Sequence, residues 1–140
     1  IVLIGAVAGC VILEYTRRHV RMRAHVDLHS VMVTIGTGAG EKTVRALVDT
    51  GNGLSEPLSG SPVVLVRKAC LKEVEPLEAR IRTVPCMTIG GVKLLRAFRA
   101  SYIRVQAKQG EDRVTEGVYV AEVDEGRLGD GVDAIIGPGL

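Results

Sequence analysis

Residues 44–53 read VRALVDTGNG, and their reading decides the fold. The run VRALV is apolar and β-rich, and it leads straight into an acid followed by turn formers. Asp49 therefore falls where a strand leaves the core. A carboxylate at that boundary is costly unless it is hydrogen-bonded or used. Thr50 offers a hydroxyl to hold the loop. Gly51 lets a backbone N–H approach the carboxylate with no Cβ in the way. Asp-Thr-Gly also suits a plain turn, so the tripeptide alone leaves a structural and a chemical reading open.

Outward from this stretch the chain reads as short strands. Residues 31–35 (VMVTI), 62–67 (PVVLVR), 81–89 (IRTVPCMTI), 92–98 (VKLLRAF), 101–106 (SYIRVQ), 117–123 (GVYVAEV) and 134–137 (AIIG) are apolar, β-branched runs. Turn signals fall between them every 8–12 residues or so, which predicts an all-β barrel or sandwich. Gly90-Gly91 marks a hairpin, and 101–106 is expected to pair with 117–123 around QGEDR. Residues 68–80 read as a turn or two of helix limited by Pro76. GTGAGEKT at 36–43 resembles a phosphate loop at a glance. Glu41 stands where that loop needs Gly before its Lys, so the stretch reads as a flexible hairpin loop.

Composition sets the outer limits. The chain has 140 residues, 46% hydrophobic and 24% charged, which excludes disorder and fits one domain. With 17 Gly, one Phe and no Trp it is turn-rich and poor in aromatics. Three Cys, at 10, 70 and 86, with no CxxC, argue against a disulfide scaffold and for a reducing compartment. His25 and His29 would suit a metal only on a helix, and HVDLHSVMVTI reads as strand, so no metal site is expected. The formal charge of +2 is uneven. Residues 1–23 hold four Arg against one Glu, whereas the rest holds 14 basic and 15 acidic residues. A near-neutral body with few aromatics excludes a nucleic-acid module.

Residues 1–13, IVLIGAVAGCVIL, are all apolar or Gly. As a helix they would reach ~20 Å, short of the ~30 Å hydrocarbon core. The expectation is the end of a transmembrane helix that continues upstream, with the Arg block at its cytoplasmic exit. The alternative is a buried first element of the domain. On the first reading residues 1–23 are a membrane stump with a basic juxtamembrane segment, and 24–140 are the folded domain.

Two features accompany the Asp49 strand and loop. AIIG places Ile135, Ile136 and Gly137 in the apolar-apolar-Gly form that retroviral-type proteases set beside their catalytic loop. Gly90-Gly91 lies where their flap turn falls. The order resembles a single-lobe, retropepsin-like aspartic protease with a closed barrel. The likeness is closer still to the sporulation sigma-E factor processing peptidase family. ALVDTGNGLSEPLSGSPVVLV is similar to that family's catalytic segment, IRTVPCMTIGGVKLLRAFRAS resembles its second block, and AIIGPGL its C-terminal block. These blocks fall within residues 31–140.

The resemblance implies a membrane-embedded aspartic endopeptidase of the sporulation septum, its protease domain cytoplasmic. It implies removal of the N-terminal pro-sequence of a sporulation sigma-factor precursor, triggered by a signalling protein secreted from the forespore. Asp49 matches the catalytic residue, and Thr50, Gly51 and Asn52 match its supporting loop, with neither cofactor nor metal. Classical aspartic proteases carry Ser, Thr or Ala where Asn52 stands, whereas the sporulation family shares the Asn. Two carboxylates are needed for this chemistry, and the other five Asp (27, 112, 124, 130, 133) lie in no D-[TS]-G. A homodimer is therefore expected. Other readings are a generic bacterial retropepsin-like peptidase and a non-catalytic, membrane-tethered β-barrel binding module.

Residues 64–104 hold nine basic and three acidic residues, and 105–140 three basic and eight acidic. Solvated faces are the plain account. The alternative sets the basic stretch, with Arg96 and Arg99, against anionic lipid headgroups or an acidic substrate segment.

Overall fold

Period-two burial along β-branched runs makes nine strands in the computed structural model, which describes residues 10–17, 20, 29–76, 81–88, 91–126 and 128–140. They are β1 (Ser30–Thr37), β2 (Gly40–Val48), β3 (Val63–Arg67), β4 (Ile81–Thr88), β5 (Gly91–Arg99), β6 (Tyr102–Val105), β7 (Arg113–Glu116), β8 (Tyr119–Val123) and β9 (Ala134–Ile136). One short helix, α1 (Lys68–Leu71), follows β3. All nine strands form one sheet in the order β4-β5-β8-β3-β9-β2-β1-β6-β7. Most neighbours are antiparallel, but β9 runs parallel to β2, and β3 parallel to β8.

The centre of the sheet is buried on both faces. Val64, Val66 and Val120 join Val33, Ile35, Phe98, Ile103 and Ile136 in the larger cluster. Val63, Tyr119 and Ala121 join Val84 and Ala97 in a smaller one on the opposite face. This explains why PVVLVR is a continuous apolar run with no polar alternation. Phe98 of β5 and Ile103 of β6 share the larger cluster although their strands stand far apart in the sheet order. Only Ala100 and Ser101 separate these two strands. Their N–H groups donate to Val118 O (2.9 Å) and Gly36 O (2.8 Å), so the chain turns a corner and the sheet curls around its core.

The curl stops short of a closed barrel, which corrects the sequence expectation. Closure needs the two end strands to pair. Here β5 already carries β4 on its outer side and β6 carries β7, so both ends of the sheet stay open. The expected pairing of 101–106 with 117–123 is also replaced. β6 pairs with Arg113–Glu116, and β8 lies between β5 and β3. Residues 113–116 gave no strand signal because the segment is short and mostly exposed. The helix expected over 68–80 is one turn, ending at Leu71. The GTGAGEKT loop shrinks to a tight turn at residues 38–39, with the strands reaching Thr37 and Gly40.

Residues 10–17 are helical and exposed. Among the described residues no helix is long and apolar enough to cross a membrane. The expectation of a membrane stump rests on residues 1–13 and the Arg block, of which residues 1–9, Arg18, Arg21 and Arg23 lie outside the described residues, as does His25.

Candidate active site

The parallel ladder between β2 and β9 builds the site. Ala46, Leu47 and Val48 align with Ala134, Ile135 and Ile136. The ladder closes where the Asp49 N–H donates to Ile136 O at 2.9 Å. The AIIG strand and the Asp-Thr-Gly loop, separated by most of the domain's sequence, thus leave the sheet side by side.

The loop is held by its own backbone. The Gly51 N–H donates to Asp49 Oδ1 at 2.9 Å. The Asn52 N–H donates to the Asp49 carbonyl at 3.1 Å, and the Gly53 N–H to Gly51 O at 3.1 Å. A Cβ at residue 51 would stand 3.3 Å from Asp49 Oδ1, and one at Gly137 would stand 2.6 Å from the Asn52 carbonyl oxygen. Both glycines therefore permit close approaches, one to the carboxylate and one between the two loops. Asp49 itself is exposed. Its carboxylate is oriented by one N–H and otherwise faces outward. It has no hydrogen bond to a second carboxyl among the described residues.

Two supporting residues sit differently from the sequence expectation. Thr50 is exposed, and its hydroxyl makes no hydrogen bond among the described residues, so the backbone rather than this side chain holds the loop. Asn52 turns its Oδ1 to accept from the Leu54 N–H at 3.3 Å and does not reach the carboxylate. Its Nδ2 is buried with no partner among the described residues. Asn52, Leu54, Pro62, Gly137 and Leu140 line a cleft of about 330 Å³ beside the loop.

Beyond Leu54 the chain is tied down by Glu56, a buried acid absent from the expected site. Its carboxylate accepts from the Leu58 N–H (3.2 Å), the Ser59 N–H (2.8 Å) and the Ser59 hydroxyl (2.6 Å). The Ser59 hydroxyl chiefly holds its pKa below the ordinary glutamate value against the opposing cost of burial, with help from those N–H groups and the nearby Arg82 charge. The local signal is a lone Glu inside a Gly/Ser/Pro turn, a place where a carboxylate finds free N–H donors.

The β4–β5 hairpin packs its root on the apolar cluster that Leu54 also touches. β5 pairs with β8 only over Ala97–Arg99, so residues 91–96 and their β4 partners project past the sheet. Gly91 turns the tip at φ +103, and Gly90 lies outside the described residues. Met87, Val92 and Leu94 are exposed there. At its root, Arg96 Nη1 meets Glu122 Oε1 at 3.0 Å and also bonds Glu75. Val84, Ala97 and Leu95 pack into the smaller cluster, which Leu54 also touches. The hairpin root and the Asp49 loop thus share one apolar seat.

These features define a class: a β-sheet domain with an open carboxylate on a glycine-shaped loop, flanked by a projecting hairpin. The family model of the sporulation factor SpoIIGA, Peptidase U4, matches residues 1–128, which include the Asp49 loop and the hairpin. The chain belongs to this family of sporulation sigma-factor processing peptidases. Comparison with curated proteins finds no match.

Proposed function

We propose that the chain is a membrane-associated aspartic endopeptidase that removes the N-terminal pro-sequence of a sporulation sigma-factor precursor as a homodimer. The observation that carries this is the exposed Asp49 carboxylate, set by the Gly51 N–H and with no hydrogen bond to a second carboxyl among the described residues. In a two-fold dimer Asp49 of each protomer meets its mate. Two carboxyls so close favour sharing one proton, which leaves one as base and the other as acid. The ionised Asp49 takes a proton from a water, whose oxygen attacks the scissile carbonyl carbon. The protonated Asp49 of the mate donates to the carbonyl oxygen. The tetrahedral intermediate then collapses: the C–N bond breaks, the leaving nitrogen takes the proton that Asp49 took from water, and a hydroxyl of the intermediate gives its proton back to the mate's Asp49 as the carbonyl re-forms. Asn52 and Gly137 keep the loop in place, and the β4–β5 hairpin covers the substrate.

Membrane attachment upstream of the domain, at the sporulation septum with the domain in the cytoplasm, would confine protomers to a plane and raise their effective concentration. A signalling protein secreted from the forespore would act through that dimerisation step. The test is co-expression of full-length protein with the precursor, for wild type, Asp49→Asn and Asp49→Ala at equal membrane levels. Precursor shortening by wild type alone supports the reading. Equal shortening by all three refutes it.

A further inference from the structure

Over Gly91–Arg96 and the facing residues of β4, the hairpin is a two-stranded ribbon whose faces differ. Directly opposed residues share a face, as do residues two apart along a strand. Met87 lies opposite Val92 and Pro85 opposite Leu94, so these four share one face. Val84 lies opposite Leu95 and Cys86 opposite Lys93, on the other. Val84 and Leu95 enter the smaller cluster, which Leu54 touches, so that second face is the one seated with the Asp49 loop. The first face meets the core only at its root, where Phe98 is buried and Ile81, opposite it, packs against the larger cluster. Past Thr83 and Arg96 this face is apolar and open. Met87 is 80% exposed, Leu94 71% and Val92 60%, and Pro85 is exposed beside them.

An apolar strip of this kind marks a contact surface, and a ribbon without neighbours is marginal in water. The charges around the strip decide what covers it. Residues 81–99 hold Arg82, Lys93, Arg96 and Arg99 and no acid. Arg96 is tied to Glu75 and Glu122 at the root, and Arg82 and Arg99 line a cavity with Glu116. Lys93 is exposed between Val92 and Leu94 and makes no ion pair among the described residues. A second copy laid strip to strip would bring the cations of two ribbons together, with no acid on either to offset them. An added strand is discouraged by Pro85, which has no N–H to offer along the open edge of β4. An anionic bilayer fits on both counts, its headgroups taking the cation and its acyl region the strip. The reach fits as well. At ~3.4 Å per residue, Gly91–Arg96 extends roughly 20 Å past the paired root, and segments that lie in the bilayer interface sink ~5–10 Å.

We propose that the tip of the β4–β5 hairpin seats in the surface of an anionic lipid bilayer, with Pro85, Met87, Val92 and Leu94 entering the acyl boundary and Lys93 among the headgroups. The domain then meets the membrane at a second point besides its upstream attachment, and lipid charge governs how freely the hairpin moves. The proposal does not depend on the aspartic reading.

The test adds a tryptophan, of which these 140 residues have none, at the tip (Val92→Trp) or on β7 (Val114→Trp), where the native side chain is also exposed. Full-length protein carrying Asp49→Asn is reconstituted in nanodiscs of phosphatidylcholine, alone or mixed with phosphatidylglycerol. Fluorescence of the parent without the added tryptophan is subtracted. Quenching is read with lipids brominated along the acyl chain and with acrylamide in the water. In anionic discs the tip tryptophan is expected to shift to the blue and to be quenched by bromolipid, and the β7 tryptophan to be quenched by acrylamide only. Without the anionic lipid, the ratio of inserted to withdrawn tip taken from that quenching falls about fivefold or more, the weight of one basic residue at a charged surface. Lys93→Glu lowers it likewise in anionic discs. The proposal is overturned if acrylamide alone quenches the tip in anionic discs, or if lipid charge and Lys93→Glu make no difference. It is also overturned if bromolipid quenches both positions equally, as it would if the domain merely lay on the disc. Protection of the tip from both quenchers would overturn it in favour of a protein cover such as a second copy. Asp49 takes no part in these readings, so precursor shortening by Asp49→Asn would count against the aspartic reading alone.

Discussion

The Asp49 loop and the β4–β5 hairpin share one apolar cluster, yet they are held in different ways. The loop is tied at both ends by backbone hydrogen bonds to β9 and β3, and its Asn52 carbonyl leaves no room for a Cβ at Gly137. Among the described residues the hairpin is anchored at its root, by Ala97–Arg99 and the Arg96 ion pairs, and shows apolar side chains to solvent at its tip. A two-stranded ribbon without further neighbours is marginally stable in water. The contrast suits a site in which the reacting group stays fixed and its cover moves. Local stability in proteins is generally distributed this way.

The contrast can be broken at its rigid end first. Gly137→Ala drives a methyl into the Asn52 carbonyl and must displace the loop. We expect cleavage to fall about 100-fold or more, the usual result of misplacing a reacting group by about 1 Å, read as precursor shortening at equal protein levels. Phe98→Ala removes the largest fully buried side chain among the described residues. It should cost about 3–5 kcal/mol by urea unfolding and loosen the hairpin root together with the core.

Glu56→Gln probes the seat between the two regions. The folded-state pKa of Glu56 is lowered, so its contribution to stability is present above the unfolded glutamate range and is lost as pH falls through the folded value. Wild type should therefore unfold at higher denaturant than Glu56→Gln at neutral pH. The gap should close as pH falls below ~4, under the ordinary glutamate value. A gap independent of pH would mean the carboxylate charge is not what holds the turn. Met87→Ser with Leu94→Ser is expected to change stability by less than about 0.5 kcal/mol, because both side chains are exposed. It should nevertheless alter cleavage, and a stability loss comparable to Phe98→Ala would show that the tip is not a free cover.

Much of the all-β architecture was legible because apolar runs and turn residues alternate at short spacing. VRALV, AIIG and PVVLVR each announced a strand, and the structure sets them side by side as β2, β9 and β3. Closure was not legible, since it depends on which edges β4 and β7 occupy and no local pattern encodes that. β7 was missed because Val114 is exposed and its neighbours are polar. Thr50 and Asn52 were legible as loop residues, but the loop's backbone is set against Ile136 and Gly137, most of the domain away in sequence. Charge counting flagged Arg96 and Arg99 together. Only the fold separates them, pairing Arg96 with Glu75 and Glu122 and leaving Arg99 beside a cavity.

The central claim is that catalysis needs one Asp49 from each of two protomers, and mixing tests it most directly. Wild type and Asp49→Asn chains, with different tags, are co-expressed in varied ratio at constant total protein, and precursor cleavage is followed. If both carboxylates of a dimer are required, activity falls as the square of the wild-type fraction, to about a quarter at equal amounts. Activity that falls only in proportion, to about half, would show that each protomer cleaves on its own and would contradict the account.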